Sequence, residues 1–249
     1  MADPDAWLGG RLHLHQPPPG AHRAGTDAVL LAHLVAPEPG STVCDLGAGA
    51  GAVGLAVAAL NPACRVVLVE REATLVELAR ANVALNGLGD RASVIEADIL
   101  AAATARHAAG LLPGLADLVV TNPPYFDEAR HRPSPVAGKR DAHSFGAGDL
   151  DGWLRTCTDV LGPKGRLGLI HRADALEHCL EALRARFGGL AIRPVHARAD
   201  RPAIRILVTA TKASRAPTSL LPPLVLQQAD GRFTPEAQAL HRGAGLPTT

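Results

Sequence analysis

The residues best equipped for chemistry lie in Thr121-Asn122-Pro123-Pro124-Tyr125-Phe126. A carboxamide presents an acceptor oxygen and two donor hydrogens. An amide or exocyclic amine seated at Asn122 could donate one hydrogen to the Asn122 oxygen and one to the Pro123 carbonyl. Both bonds would aim the nitrogen lone pair outward, toward an electrophile. Tyr125, the only tyrosine in the chain, offers a face on which a planar group can stack. A proline-rich turn that merely ends a strand has the same composition, so the segments around it decide between the two.

Leu118-Val119-Val120 is a short apolar block that predicts a buried strand. Pro123 and Pro124 lack an N–H and bias the preceding residues away from helix, so the chain must leave the sheet as a stiff extended turn. Asn122 then stands at the C-terminal end of a strand, where open α/β sheets bind ligands. The rest of the chain alternates in the same way. Strands are predicted over 42–46, 65–69, 92–95, 118–121 and 166–170, and helices over 52–60, 72–85, 100–107, 150–161 and 173–187. Gly162-Pro163 is expected to break the fourth of these helices. Residues 190–196 and 204–211 read as an antiparallel pair of strands. Single-helix crossovers make the core an α/β, doubly wound, mostly parallel seven-stranded sheet with an antiparallel last strand. Residues 1–39 form an N-terminal extension of hairpin and helix, placed over the ligand cleft, with Thr26 or Asp27 capping a helix that begins at Ala28. The core occupies 40–215, and 216–249 add a strand and a helix.

Two ligands compete for the glycine turn that follows the first core strand. Gly49-Ala50-Gly51-Ala52-Val53-Gly54 fits the dinucleotide pattern, with Glu70 at a suitable distance for a ribose. The same residues fit an acidic strand residue, Asp45, followed by alternating Gly47, Gly49 and Gly51. Glycine admits close approach of backbone to ligand in either case. The Asp45 carboxylate favours the second pattern, since it would repel a pyrophosphate and attract the ammonium and sulfonium of a sulfonium cofactor. Glu70 would accept from ribose hydroxyls, and Asp98, beyond the third strand, would sit near an adenine amino group or cap the next helix.

Whole-chain properties bound the answer. The 25 lysines and arginines nearly balance 24 aspartates and glutamates, giving a net charge of +1 over 249 residues, so a nucleic-acid surface must be a local patch. Cys44, Cys64, Cys157 and Cys179 are scattered on apolar segments with no CxxC spacing, which predicts inert core thiols and no metal site. MADPDAWLGG lacks an apolar signal core, and the uncharged stretch 46–64 carries too many glycines for a spanning helix. The expected location is cytoplasmic.

Asp45-Leu-Gly-Ala-Gly-Ala-Gly51, Glu70, Asp98 and Asn122-Pro-Pro-Tyr125, in that order and spacing, resemble the class I S-adenosylmethionine-dependent methyltransferases that methylate amino groups. That resemblance implies a Rossmann-like methyltransferase fold and S-adenosylmethionine as cofactor. It also implies Arg23, Thr26, Ala48, Arg71 and Ile99 beside the cofactor, together with Asn122. The segment Gly25-Thr-Asp-Ala-Val-Leu-Leu31, the Asn122–Phe126 stretch and the tail 224–237 further resemble bacterial tRNA(Val) adenine N6-methyltransferases, which modify the adenosine beside the anticodon. This implies a tRNA partner, with Asn122, Pro123, Pro124 and Tyr125 as the catalytic residues and Tyr125 and Phe126 against the base.

Past the proline turn, Arg130, Arg132, Lys139 and Arg140 form a basic loop fit to track phosphates. A second basic series (Arg193, Arg198, Arg201, Arg205, Lys212 and Arg215) reads better as a charged strand rim. The same turn would serve a protein glutamine, a guanine N2 or a DNA adenine methyltransferase. A non-catalytic cofactor- or RNA-binding scaffold and a nicotinamide oxidoreductase are the readings from other classes.

Overall fold

The computed structural model describes residues 3–18, 20, 23–125 and 149–245. It opens with a two-stranded antiparallel sheet of β1 (Asp5–Trp7) and β2 (Leu12–Leu14), in which Trp7 lies opposite Leu12. Helix α1 (Thr26–Leu34) follows. Neither Thr26 nor Asp27 caps it: the cap position is Gly25, and no side chain bonds the first turn. Both side chains are drawn to distant partners instead, as described below.

The main chain then runs β3 (Thr42–Leu46), α2 (Ala52–Leu60), β4 (Arg65–Glu70), α3 (Ala73–Leu85), β5 (Ala92–Glu96), α4 (Ala103–Ala108) and β6 (Ala116–Thr121). It continues through α5 (Asp149–Val160), β7 (Leu161–Arg172), α6 (Leu176–Arg184), β8 (Phe187–His196) and β9 (Ala203–Lys212). Two dipeptide strands, β10 (Ser219–Leu220) and β11 (Leu224–Val225), and helix α7 (Pro235–His241) complete it.

Three boundaries depart from the sequence expectation, each for a local reason. Helix α4 starts at Ala103 because the Asp98 side chain and carbonyl hold Leu100 and Ala101 in a turn. Helix α5 ends at Val160, just before Gly162-Pro163 as expected, and no loop follows it. Strand β7 already begins at Leu161, and these residues form a bulge in it between the Ala116–Leu161 and Leu118–Arg166 pairs, with Lys164 at φ 59°. Strand β8 likewise starts at Phe187 and passes a bulge at Gly189, where φ is 61°.

The sheet order is β10-β8-β9-β7-β6-β3-β4-β5, with β11 also on β8. Strands β3 to β7 are parallel to one another, and β9 runs antiparallel between β7 and β8. The seven long strands are those predicted. The tail adds its two short ones parallel to β8, making nine. Strand order reverses between β3 and β6, the topological switch point where such sheets bind ligands. Leu46 is level with both Val69 and Thr121, so Gly47, Glu70 and Asn122 leave the sheet on one edge.

Alternating side chains send Val43, Leu118 and Val120 into one apolar cluster, and Cys44, Leu46 and Val119 into the other. The first cluster packs α1, α2, the hairpin and α7 on one face; the second packs α5 and α6 on the other. Thr234 caps α7 through Ala237 N at 3.1 Å, and His33 Nε2 reaches the Leu240 carbonyl at 2.9 Å, which docks the tail on α1.

Candidate functional site

The turn after β3 is held from below by the end of β4. The N–H groups of Gly47 and Ala48 both donate to the Val69 carbonyl, at 3.0 and 2.9 Å. Gly49 N–H donates to Glu70 Oε2 at 2.9 Å, and Gly51 N–H to the Ala48 carbonyl at 2.8 Å. Gly47 sits at φ 80° with its α-carbon against an indole, so that a Cβ there would lie 2.9 Å from Trp153 Cζ2. On the open side, nothing lies within 4 Å of a Cβ built on Gly49.

Asp45 is buried beneath the turn instead of lining its surface. Its Oδ2 accepts from Gly54 N–H at 2.8 Å, and β4 and β6 flank it. Burial raises its pKa to about 7, a shift the Gly54 bond opposes and the nearby Glu70 charge reinforces. Glu70 accepts from Arg71 N–H and Glu72 N–H through Oε1, at 2.8 and 3.0 Å, besides Gly49. Three of roughly four carboxylate acceptor positions are therefore taken, leaving one for a ligand hydroxyl. Two carboxylates under a turn whose Gly49 N–H is already bonded make a poor pyrophosphate cradle and a suitable seat for a cation.

A cleft of about 490 Å³ opens beside Glu70, lined by Arg71, Glu72, Glu96, Ala97 and Asp98. Asp98 Oδ1 accepts from Leu100 N–H at 2.9 Å, while its Oδ2 is 3.8 Å from Arg71. Ile99 is buried, and its carbonyl accepts from Thr156 Oγ1 at 2.8 Å.

The proline turn leaves β6 on the same edge. Thr121 is buried and locked: its Oγ1 donates to the Leu46 carbonyl at 2.7 Å and accepts from Trp153 Nε1 at 2.8 Å. Asn122 Oδ1 is buried, and no hydrogen-bond partner for it occurs among the described residues. A buried acceptor without a partner is costly, and here it stands where an amine would be presented. Pro123 is buried and Pro124 exposed. Tyr125 donates to Asp27 Oδ2 at 3.0 Å and takes His171 edge-on at 5.2 Å. Burial, and then the Asp27 charge, push the phenol up to about 12. Burial pulls the His171 pKa below its usual value, which keeps that neighbour neutral.

Other expected residues are engaged elsewhere. Arg23 pairs with Asp5 at 2.7 Å and donates to the Pro17 carbonyl, both in the N-terminal segment. Thr26 Oγ1 lies 3.4 Å from His241 Nε2, on the tail helix. Phe126, Arg130, Arg132, Lys139 and Arg140 lie outside the described residues. The second basic series disperses, as a strand rim should. Arg193 is buried against the Pro222 carbonyl, Arg198 and Arg201 pair with Asp200, Arg205 pairs with Asp27, and Lys212 bonds the Leu161 carbonyl.

Sequence reasoning missed Trp153 and Asn82. Asn82 is fully buried; its amide donates to the carbonyls of Ala50 and His15, at 2.9 Å each, and accepts from His15 N–H at 2.7 Å. Four residues on, Asn86 treats His13 in the same way, with bonds of 2.8 and 2.7 Å. The i, i+4 spacing of two asparagines was the available signal, since it puts both amides on one helix face. Among the described residues no group of three or more His, Cys, Asp or Glu could hold a metal, and no helix is long and apolar enough to cross a membrane.

Comparison with known proteins agrees with this geometry. The family described as "methyltransferase small domain" matches residues 23–137. A tRNA1(Val) (adenine(37)-N6)-methyltransferase of Porphyromonas gingivalis is 32% identical over 162 residues, covering 63% of this chain and 61% of that protein. A release factor glutamine methyltransferase of Mycolicibacterium smegmatis is 38% identical over 110 residues, covering 44% of this chain and 36% of that one. The chain thus spans about three fifths of the tRNA-modifying relative. A crystal structure of a predicted O-methyltransferase from Agrobacterium tumefaciens superposes with a TM-score of 0.74 and 36% identity, covering 89% of this chain and 98% of that one. With the sheet order, the carboxylates under the glycine turn and the Asn-Pro-Pro-Tyr corner in place, and with residues 23–137 similar to the small-domain model, this chain belongs to the class I S-adenosylmethionine-dependent methyltransferases.

Proposed function

We propose that this protein is an S-adenosylmethionine-dependent N-methyltransferase acting on the N6 amine of an adenine in tRNA, the adenosine beside the anticodon. The observation that carries the reading is the buried Asn122 Oδ1, without a partner among the described residues, on the same sheet edge as the glycine turn. The tRNA-modifying relatives support the choice of substrate.

The donor set fits the cofactor. Glu70 retains one acceptor position for a ribose hydroxyl, Asp98 borders the cleft where an adenine would lie with Ile99 next to it in the chain, and Asp45, buried beneath the glycine turn, adds negative charge as pH rises through about 7. When bound, S-adenosylmethionine supplies a methyl group on a sulfonium, an electrophile at carbon. This chain's own contribution is placement. Asn122 Oδ1 and the Pro123 carbonyl would accept the two amine hydrogens, Pro124 would stiffen the corner, and Tyr125 would take the base on its face. Orienting a nucleophile can supply roughly 7–11 kcal/mol of a barrier, so no strong base is required. An adenine in a stacked anticodon arm must be extruded first, and the basic side chains at 130, 132, 139 and 140, with Phe126, are the proposed contacts to the displaced strand. A tRNA substrate also fits a cytoplasmic location.

Glutamine N5 methylation is the second reading, favoured by the M. smegmatis relative and by the identical donors of a glutamine amide. Methyl-labelled cofactor incubated with separate pools of tRNA, rRNA, DNA and release factor tests both. Label in tRNA that digests to N6-methyladenosine is the expected result. Label in release factor alone would replace the first reading with the second, and label in rRNA or DNA alone would overturn both.

A further inference from the structure

We propose that Asp27 and Arg205 form a clamp that fixes Tyr125 as a wall of the acceptor site, so that helix α1 and strand β9 complete it. The inference rests on the acceptor role proposed above for the Asn122–Tyr125 corner. Asp27 Oδ2 accepts from the Tyr125 hydroxyl at 3.0 Å and from Arg205 Nε at 2.8 Å. The Arg205 guanidinium carbon also stands 5.2 Å from the centre of the Tyr125 ring, within cation–π range. His171, from β7, closes the ring edge at the same distance with the planes 72° apart. The tyrosine is therefore gripped at its hydroxyl, on its ring and along an edge by elements that are remote in sequence.

Asp27 lies in the first turn of α1, where its charge suits the helix dipole, but it makes no capping bond and its carboxylate is turned to Tyr125 and Arg205. The ion pair keeps about a quarter of each side chain exposed, at 25% and 28%. Pairs so exposed contribute little to stability. What the clamp does supply is orientation, since a ring held at three points loses no further freedom when a planar acceptor settles beside it. Asp27 and Arg205 are positioning residues here, and Tyr125 is the group that meets the substrate.

The chain's single tyrosine permits a direct test. With 13C-labelled tyrosine, the Cζ resonance reports ionisation of Tyr125 alone, and the phenol starts from about 12. Asp27→Asn removes a negative neighbour and should bring the midpoint down. Arg205→Gln removes a positive one and should push it up. In the same proteins, kcat/KM for the tRNA acceptor should fall tenfold or more while cofactor Kd stays within twofold. Should Arg205→Gln not fold, Arg205→Lys takes its place, with the same cofactor Kd and a loss in acceptor kcat/KM. Midpoints that do not move, or losses shared equally by acceptor and cofactor, would overturn the clamp. If the wild-type protein methylates none of the substrate pools, the function proposed above fails, and the opposed shifts of the tyrosine still decide the clamp.

Discussion

Trp153 Nε1 donates to Thr121 Oγ1 at 2.8 Å, one residue before the carboxamide, and the same indole fills the space that a side chain at Gly47 would need. Thr121 passes the bond on to the Leu46 carbonyl. The ends of β3 and β6 are thus tied together beneath the two halves of the site, the glycine turn and the Asn122 corner. Trp153→Phe keeps most of the apolar contact and removes the donor. Loss of one buried hydrogen bond costs about 1–2 kcal/mol, equal to a fall in Tm of roughly 2–8 °C at this chain length. Denaturant melts check it; an unchanged midpoint would mean that the bond is idle.

Gly47→Ala meets two obstacles, a backbone at φ 80° and the indole 2.9 Å away. Together they should cost roughly 2–4 kcal/mol. In the Trp153→Phe background the clashing indole atoms are gone and only the backbone strain remains. The double variant should therefore be more stable than the sum of the two singles implies, by more than about 0.5 kcal/mol. Strict additivity in urea melts would contradict the proposed contact.

Asp45 ties stability to pH. Its native pKa of about 7 lies above the ordinary carboxylate value of 3.8 because burial penalises the charged form. Between those values the native state holds a proton that the unfolded chain has released, so stability falls as pH rises from about 4 to 7 and levels off above. The span corresponds to roughly 4 kcal/mol. Asp45→Asn should remove this slope, matching wild type near pH 4 and exceeding it at pH 8, while weakening the cofactor. Parallel pH–stability curves for the two proteins would refute the buried, protonated carboxyl.

Asn82→Ala removes the three bonds that the Asn82 amide makes to His15 N–H and to the carbonyls of His15 and Ala50. A loss of about 2–4 kcal/mol is expected. Because one amide serves both segments, amide exchange should speed up together at 12–15 and 48–51. Acceleration confined to the hairpin would show that Asn82 does not support the turn.

What was legible in the sequence was local. The apolar runs 42–46, 65–69 and 118–120 announced the parallel strands, and Asp45, Glu70 and Asn122 could be placed at their ends by residue type and spacing alone. What was not legible is made across the sheet. Trp153 meets Thr121 from 32 residues away and Asn82 meets His15 from 67. Asp27 meets Arg205 from 178, a partner that no local pattern names. The same tertiary pull acts on Thr26 and Asp27, which do not cap their helix: Asp27 is held by Tyr125 and Arg205, and Thr26 faces His241. Gly162-Pro163 marked the end of α5 but hid the start of β7 at Leu161, since a glycine-proline pair that stops a helix also suits a bulge inside a strand.

The account turns on the Asn122 carboxamide placing the acceptor nitrogen. Single-turnover methylation of tRNA by Asn122→Ala, measured beside its cofactor Kd, tests this most directly. The account predicts a rate lower by on the order of a hundredfold with cofactor affinity within about twofold. A rate close to wild type, or equal losses in rate and cofactor affinity, would contradict it.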